Sequence, residues 1–93
     1  MSTAFVDIFR LTAIYMIRYR LKELIADKEF RERRVVTLGE ISTATGIHRA
    51  TLSKIANTAG YSTVTDNVDK LCSYFQCPVE ALMQHVQDSK AEK

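Results

Sequence analysis

The sequence predicts an all-α domain, and three observations carry that expectation. The 93 residues include three Gly and one Pro, with no Asn-Gly or Asp-Gly pair to mark a β-hairpin. Apolar residues recur at spacings of three and four, the period of an amphipathic helix. Thr37 and Gly46 bracket one such run with the start and stop signals of a helix. Hydrophobic residues make up 46% and charged residues 26%, an ordinary globular balance. The length suits one domain with a modest core.

Residues 1–15, MSTAFVDIFRLTAIY, are expected to form an N-terminal arm. Phe5, Ile8 and Phe9 share a helical face, and Val6, Ile8 and Arg10 do not alternate as in a strand. Phe9, Leu11 and Ile14 are costly to leave in water. The arm therefore packs on its own domain or on a second subunit, unless Met16 is a start and the segment an optional leader. The domain proper is expected over residues 16–87. Residues 16–29 form its first helix, with Ile17, Leu21, Leu24 and Ile25 as the apolar stripe. An extended Met16–Tyr19 with the helix starting near Arg20 is the alternative. Residues 30–36, FRERRVV, read as a connector anchored by Phe30. Its Arg31, Arg33 and Arg34 form either a solvated loop or a set of phosphate contacts.

Thr37–Ile55 is the stretch around which the rest is arranged. Thr37 is a good N-cap, and Glu40 three residues on completes a capping box. Leu38, Ile41 and Thr45 fall on one face. Gly46 suits the left-handed position that ends a helix. Ile47 fills the gap, and His48 or Arg49 opens a second helix near residues 48–57. Its inward residues are Leu52 and Ile55, with Ala56 and Ala59 beyond, so Arg49, Ala50, Ser53 and Lys54 face out. Two helices joined by a short Gly turn make either a helix-turn-helix, whose second helix enters a DNA major groove, or a plain αα-hairpin.

Downstream, Gly60 is a second break. Thr63 or Val64 starts the next helix, and Thr63 with Asp66 resembles a capping box. Val64, Val68, Leu71, Cys72 and Phe75 form an inward stripe. Pro78 opens a last short helix, with Leu82, Met83 and Val86 inward. Residues 88–93 are expected to fray.

The net charge of +2 is unevenly placed. Residues 1–60 hold 10 Lys/Arg against 6 Asp/Glu, a net +4. Residues 61–93 hold 3 against 5, a net −2. The positive part contains the paired helices, in agreement with an anionic partner. Cys72 and Cys77 read as reduced thiols of a cytoplasmic protein. They lack a second Cys pair, and His48 and His85 are not at ligand spacing, so no metal is expected. No apolar run spans a bilayer, and the parts of a signal peptide are missing. No Gly-rich phosphate loop or nucleophile elbow occurs, so neither catalysis nor a cofactor is expected.

TGIHRATLSKIAN followed by VDKLCSYFQCPVEALMQHV resembles the Cro/cI-type (Xre) family of helix-turn-helix transcriptional regulators. The resemblance runs from about Met16 to Val86. It implies a compact five-helix, lambda-repressor-like domain whose second and third helices are the helix-turn-helix. It places base contacts at Arg49, Ala50 and Lys54, and phosphate or flanking contacts at Thr37, His48, Thr51 and Ser53. Leu38 stands where the family often has a phosphate-contacting Gln, and the connector from Lys28 to Val36 is longer than the usual turn.

The function implied is sequence-specific binding of double-stranded DNA by a transcriptional regulator, expected to be a repressor. A single reading head covers few base pairs, so a homodimer is expected. The alternative from another class is a protein-interaction module, such as an antitoxin or adaptor. A protein binder would carry aromatic or apolar anchors on the outward face of the third helix, whereas Arg49, Ser53 and Lys54 are polar or basic.

Overall fold

The computed structural model describes residues 15–87. The arm expected before Tyr15 and the tail expected over 88–93 lie outside these residues. The order is β1 (Tyr15–Tyr19), α1 (Leu21–Glu32), α2 (Leu38–Thr45), α3 (Arg49–Asn57), α4 (Thr65–Phe75), α5 (Val79–Leu82) and β2 (Met83–Gln87).

Five helices match the expected number, but the domain is not strictly all-α. β1 and β2 pair antiparallel, from Tyr15↔Gln87 to Tyr19↔Met83. Tyr-Met-Ile-Arg-Tyr is rich in residues that suit a pleated surface. The pairing sets Met16 opposite Val86 and brings the rings of Tyr15 and His85 to 5.1 Å. Arg18 donates to Gln84, 66 residues away, at 2.9 Å. The chain therefore takes the alternative read from the sequence: Met16–Tyr19 is extended and the helix begins at Leu21. The last helix stops at Leu82, so Met83 and Val86 are strand residues rather than helical ones.

α1 runs to Glu32 and ends on Arg33 in the left-handed region, with φ 55°. The connector is accordingly short, and the Val36 amide closes it by donating to the Glu29 carboxylate at 2.9 Å. Phe30 does not anchor it in the core, being 85% exposed. Nine residues at about 100° each put Phe30 on the opposite side of α1 from buried Leu21.

The core gathers Leu21, Val36, Ile41, Ile47, Leu52, Ile55, Leu71, Phe75 and Leu82 from all five helices and the connecting turns. Val64 is 62% exposed because it caps α4 rather than joining its stripe. The Thr63–Asp66 capping box does not form: Val64 is the N-cap, and the Thr63 hydroxyl accepts from Asn67 at 2.9 Å. Pro78 sits one residue before α5, at its N-cap. The Arg20 amide donates to the Leu82 carbonyl at 2.7 Å, and the Gly60 amide to Ile17 at 2.9 Å. These bonds fasten the sheet to the helices. No helix among the described residues is long and apolar enough to cross a membrane.

Candidate nucleic-acid interface

α2 begins as its sequence dictates. The Thr37 hydroxyl accepts from the Glu40 amide at 3.1 Å, satisfying one of the free N–H groups of the first turn. The return half of the capping box is replaced, because both carboxylate oxygens of Glu40 bind Arg34, at 2.8 and 2.7 Å. At the other end Gly46 adopts φ 80° and donates to the Ser42 carbonyl at 2.8 Å. A side chain there would be strained by the backbone alone. The Ser42 hydroxyl donates to the Ile47 carbonyl at 2.6 Å, and the Ile47 amide to the Thr45 hydroxyl at 3.2 Å. Polar side chains of α2 thus hold the turn while Ile47 is buried.

His48 caps α3, its Nδ1 accepting from the Ala50 amide at 3.3 Å. Leu52 and Ile55 point into the core. Arg49, Ala50 and Lys54 are exposed; Thr51 and Ser53 are half-buried. The aliphatic and guanidinium atoms of Arg49 pass 3.9 Å from where a side chain on Gly39 would begin, and Thr37 Oγ1 lies 3.8 Å from the same point. The start of α2 and the start of α3 therefore converge on Thr37, Gly39 and Arg49.

The connector arginines separate into two kinds. Arg34 is bound by Glu40 and by Glu32, the latter at 2.8 Å. Its guanidinium is pushed above its ordinary value, first by Glu40 and then by Glu32. Lys28 continues the chain of contacts, pairing with Glu32 at 2.7 Å and lying 4.9 Å over the Tyr74 ring. The Tyr74 hydroxyl is 3.4 Å from Glu40. Arg31, Arg33, Arg49 and Lys54 form no ion pair among the described residues. Arg31 borders a groove with Leu24, Phe30, Phe75 and Cys77.

Two residues not read from the sequence belong to this region. Asn57 follows Ala50 by two helical turns, and its amide donates to the Ser53 carbonyl at 2.9 Å. Lys22 on α1 shares a depression with Ala56 and Asn57 at the end of α3. Extending the outward period of α3 finds Asn57; only tertiary packing finds Lys22. Leu38, in the family's Gln position, packs against the core.

A family profile for the Cro/C1-type HTH DNA-binding domain matches residues 20–88. The chain belongs to the Cro/C1-type HTH DNA-binding domain family. Searches of curated proteins and of solved structures each give no match. The helix-turn-helix of this Cro/C1-type domain is α2–α3, and DNA-binding transcription regulation is its general function. The match starts at Arg20, so it includes β2 and leaves out the partner strand β1.

The carboxylates beside the helix-turn-helix make its stability depend on pH. Arg34 holds the Glu40 carboxyl below its ordinary value, and Lys28, followed by Arg34, does the same for Glu32. A pKa lowered by folding contributes stability above the unfolded value, and that contribution is lost as pH falls through the folded value. Thermal melts should therefore show a Tm that declines below about pH 4.5. Glu40→Gln should flatten the decline, and about 1 M salt should shrink the difference, because these pairs face solvent.

Proposed function

We propose that this protein is a sequence-specific, double-stranded DNA-binding transcriptional regulator that reads the major groove with α3. The observation that carries the reading is the two-sidedness of α3: Leu52 and Ile55 are buried, while Arg49, Ala50 and Lys54 are exposed without apolar anchors. Arg49 and Lys54 suit guanine O6 and N7, and Ala50 suits a thymine methyl. Thr37, His48, Thr51, Ser53, Arg31 and Arg33 supply phosphate or flanking contacts, and Lys22 joins them at the far end of α3. His48 keeps Nε2 for this purpose while Nδ1 caps the helix. Arg34 instead fixes the start of α2.

Repression is the outcome we favour, since occupying a site suffices for it. The working form is a homodimer in the cytoplasm. Among the described residues β2 is an edge of a two-stranded sheet, and it carries no Lys, Asp, Glu or Pro, the residues that usually discourage edge pairing. No chemistry or cofactor enters this reading. One observation favours a protein partner as well: Phe30 and Val35 are 85% and 74% exposed.

Fluorescence anisotropy on duplex DNA tests the proposal. Binding should saturate at about 50 mM salt and weaken linearly in log–log form, with a slope of roughly −0.9 per phosphate neutralised. Failure to bind any duplex at that salt would overturn it in favour of the protein-interaction module.

A further inference from the structure

α4 ends in a closed backbone motif. Gln76 takes φ 54° and ψ 52°, the Cys77 amide donates to the Cys72 carbonyl at 3.0 Å, and the Gln76 amide to Ser73 at 3.3 Å. This six-to-one plus five-to-two pattern is the Schellman motif, and it brings the side chains of its first and last residues together, usually as an apolar contact. Here both residues are cysteine. Both are half-buried against the core, and Cys77 also lines the groove bordered by Leu24, Phe30 and Phe75. Burial raises the Cys72 thiol, and the neighbouring Cys77 side chain raises it further. Pro78 follows at φ −73° and stiffens the exit. Among the described residues no group of three His, Cys, Asp or Glu could hold a metal.

We propose that Cys72 and Cys77 form a reversible dithiol–disulfide site that clamps the C-terminal cap of α4. The co-reactant is a small disulfide such as oxidised glutathione. Cys77, on the groove, attacks as thiolate; its bond to one glutathione sulfur forms as the glutathione S–S bond breaks and a glutathione thiolate leaves. Cys72 then loses its proton and attacks the Cys77 sulfur. The Cys72–Cys77 bond forms, and the second glutathione leaves as thiolate. The two protons released by the protein thiols end on the two glutathiones. The protein loses two electrons and the small disulfide gains them. The disulfide covalently repeats a contact the backbone already makes, so oxidation leaves the fold in place and tightens the α4–α5 junction. A reducing cytoplasm keeps the pair open, and an oxidising episode closes it.

The test is intact mass spectrometry of the full chain, equilibrated with graded reduced and oxidised glutathione and then quenched with a thiol alkylator. The expected product is an unalkylated monomer about 2 Da lighter than the reduced chain. Its Tm should exceed that of the reduced chain, and the gain should vanish on adding dithiothreitol. Folded protein should favour the disulfide about tenfold more than protein in urea, because the motif holds the sulfurs together. Cys72→Ser should stop at the glutathione adduct on Cys77. Equal oxidation in folded and unfolded chains would overturn the proposal. So would a folded chain that stays as free thiols or glutathione adducts, or that forms disulfides only between two chains.

Discussion

Leu52→Ala should lower the unfolding free energy by about 2–5 kcal/mol, the cost of deleting a buried leucine and leaving its cavity. Leu52 is fully buried, on the inner face of α3, among core residues from every helix. A domain of this size has only about 5–15 kcal/mol in all, so the variant should lose a large share of its stability. Urea denaturation followed by circular dichroism measures this, with the denaturant slope unchanged if only the native state is affected. Phe30→Ala is the matched control. It removes a larger side chain, but one that is 85% exposed, and should change stability by less than about 0.5 kcal/mol. If Phe30→Ala cost as much as Leu52→Ala, the packing described for α1 and α3 would be wrong.

The same contrast shows what the sequence made legible. α2 and α3 were readable because their signals are local: a hydroxyl at Thr37, a glycine at Gly46, and apolar residues at helical spacing between and beyond them. The outward and inward faces of α3 followed from that phase. Phe30 is not legible in this way, because residues 30–32 read as connector in sequence, and a residue in a connector has no helical phase to place it opposite Leu21. The sheet was hidden for a different reason. Met83 and Val86 are spaced as well for a helix as for anything else, and their choice of strand is decided by Met16 and Tyr19 at the other end of the chain.

Charge was legible as composition but not as pairing. Arg31, Arg33 and Arg34 look alike in sequence. Arg34 lies between Glu32 at the end of α1 and Glu40 in the first turn of α2, so carboxylates hold it, while Arg31 and Arg33 form no ion pair among the described residues. Lys22 cannot be placed from sequence, because only the packing of α1 beside the end of α3 puts it next to Asn57.

The double variant Arg49→Ala plus Lys54→Ala should lose both binding strength and sequence preference. Each base contact is worth about 1–3 kcal/mol, so the pair should cost roughly 2–6 kcal/mol on the preferred duplex. Both side chains are exposed, and the core residues of α3 are untouched. The variant should therefore melt close to wild type, which separates lost contacts from lost structure. The deciding measurement is fluorescence anisotropy of both proteins at matched salt, on duplexes drawn from the DNA upstream of the protein's own gene and on an unrelated duplex. A groove-reading α3 predicts that wild type discriminates among them while the double variant binds all of them weakly and alike. A double variant that kept the wild-type affinity and preference would contradict it, and the DNA-reading surface would have to lie elsewhere than α3.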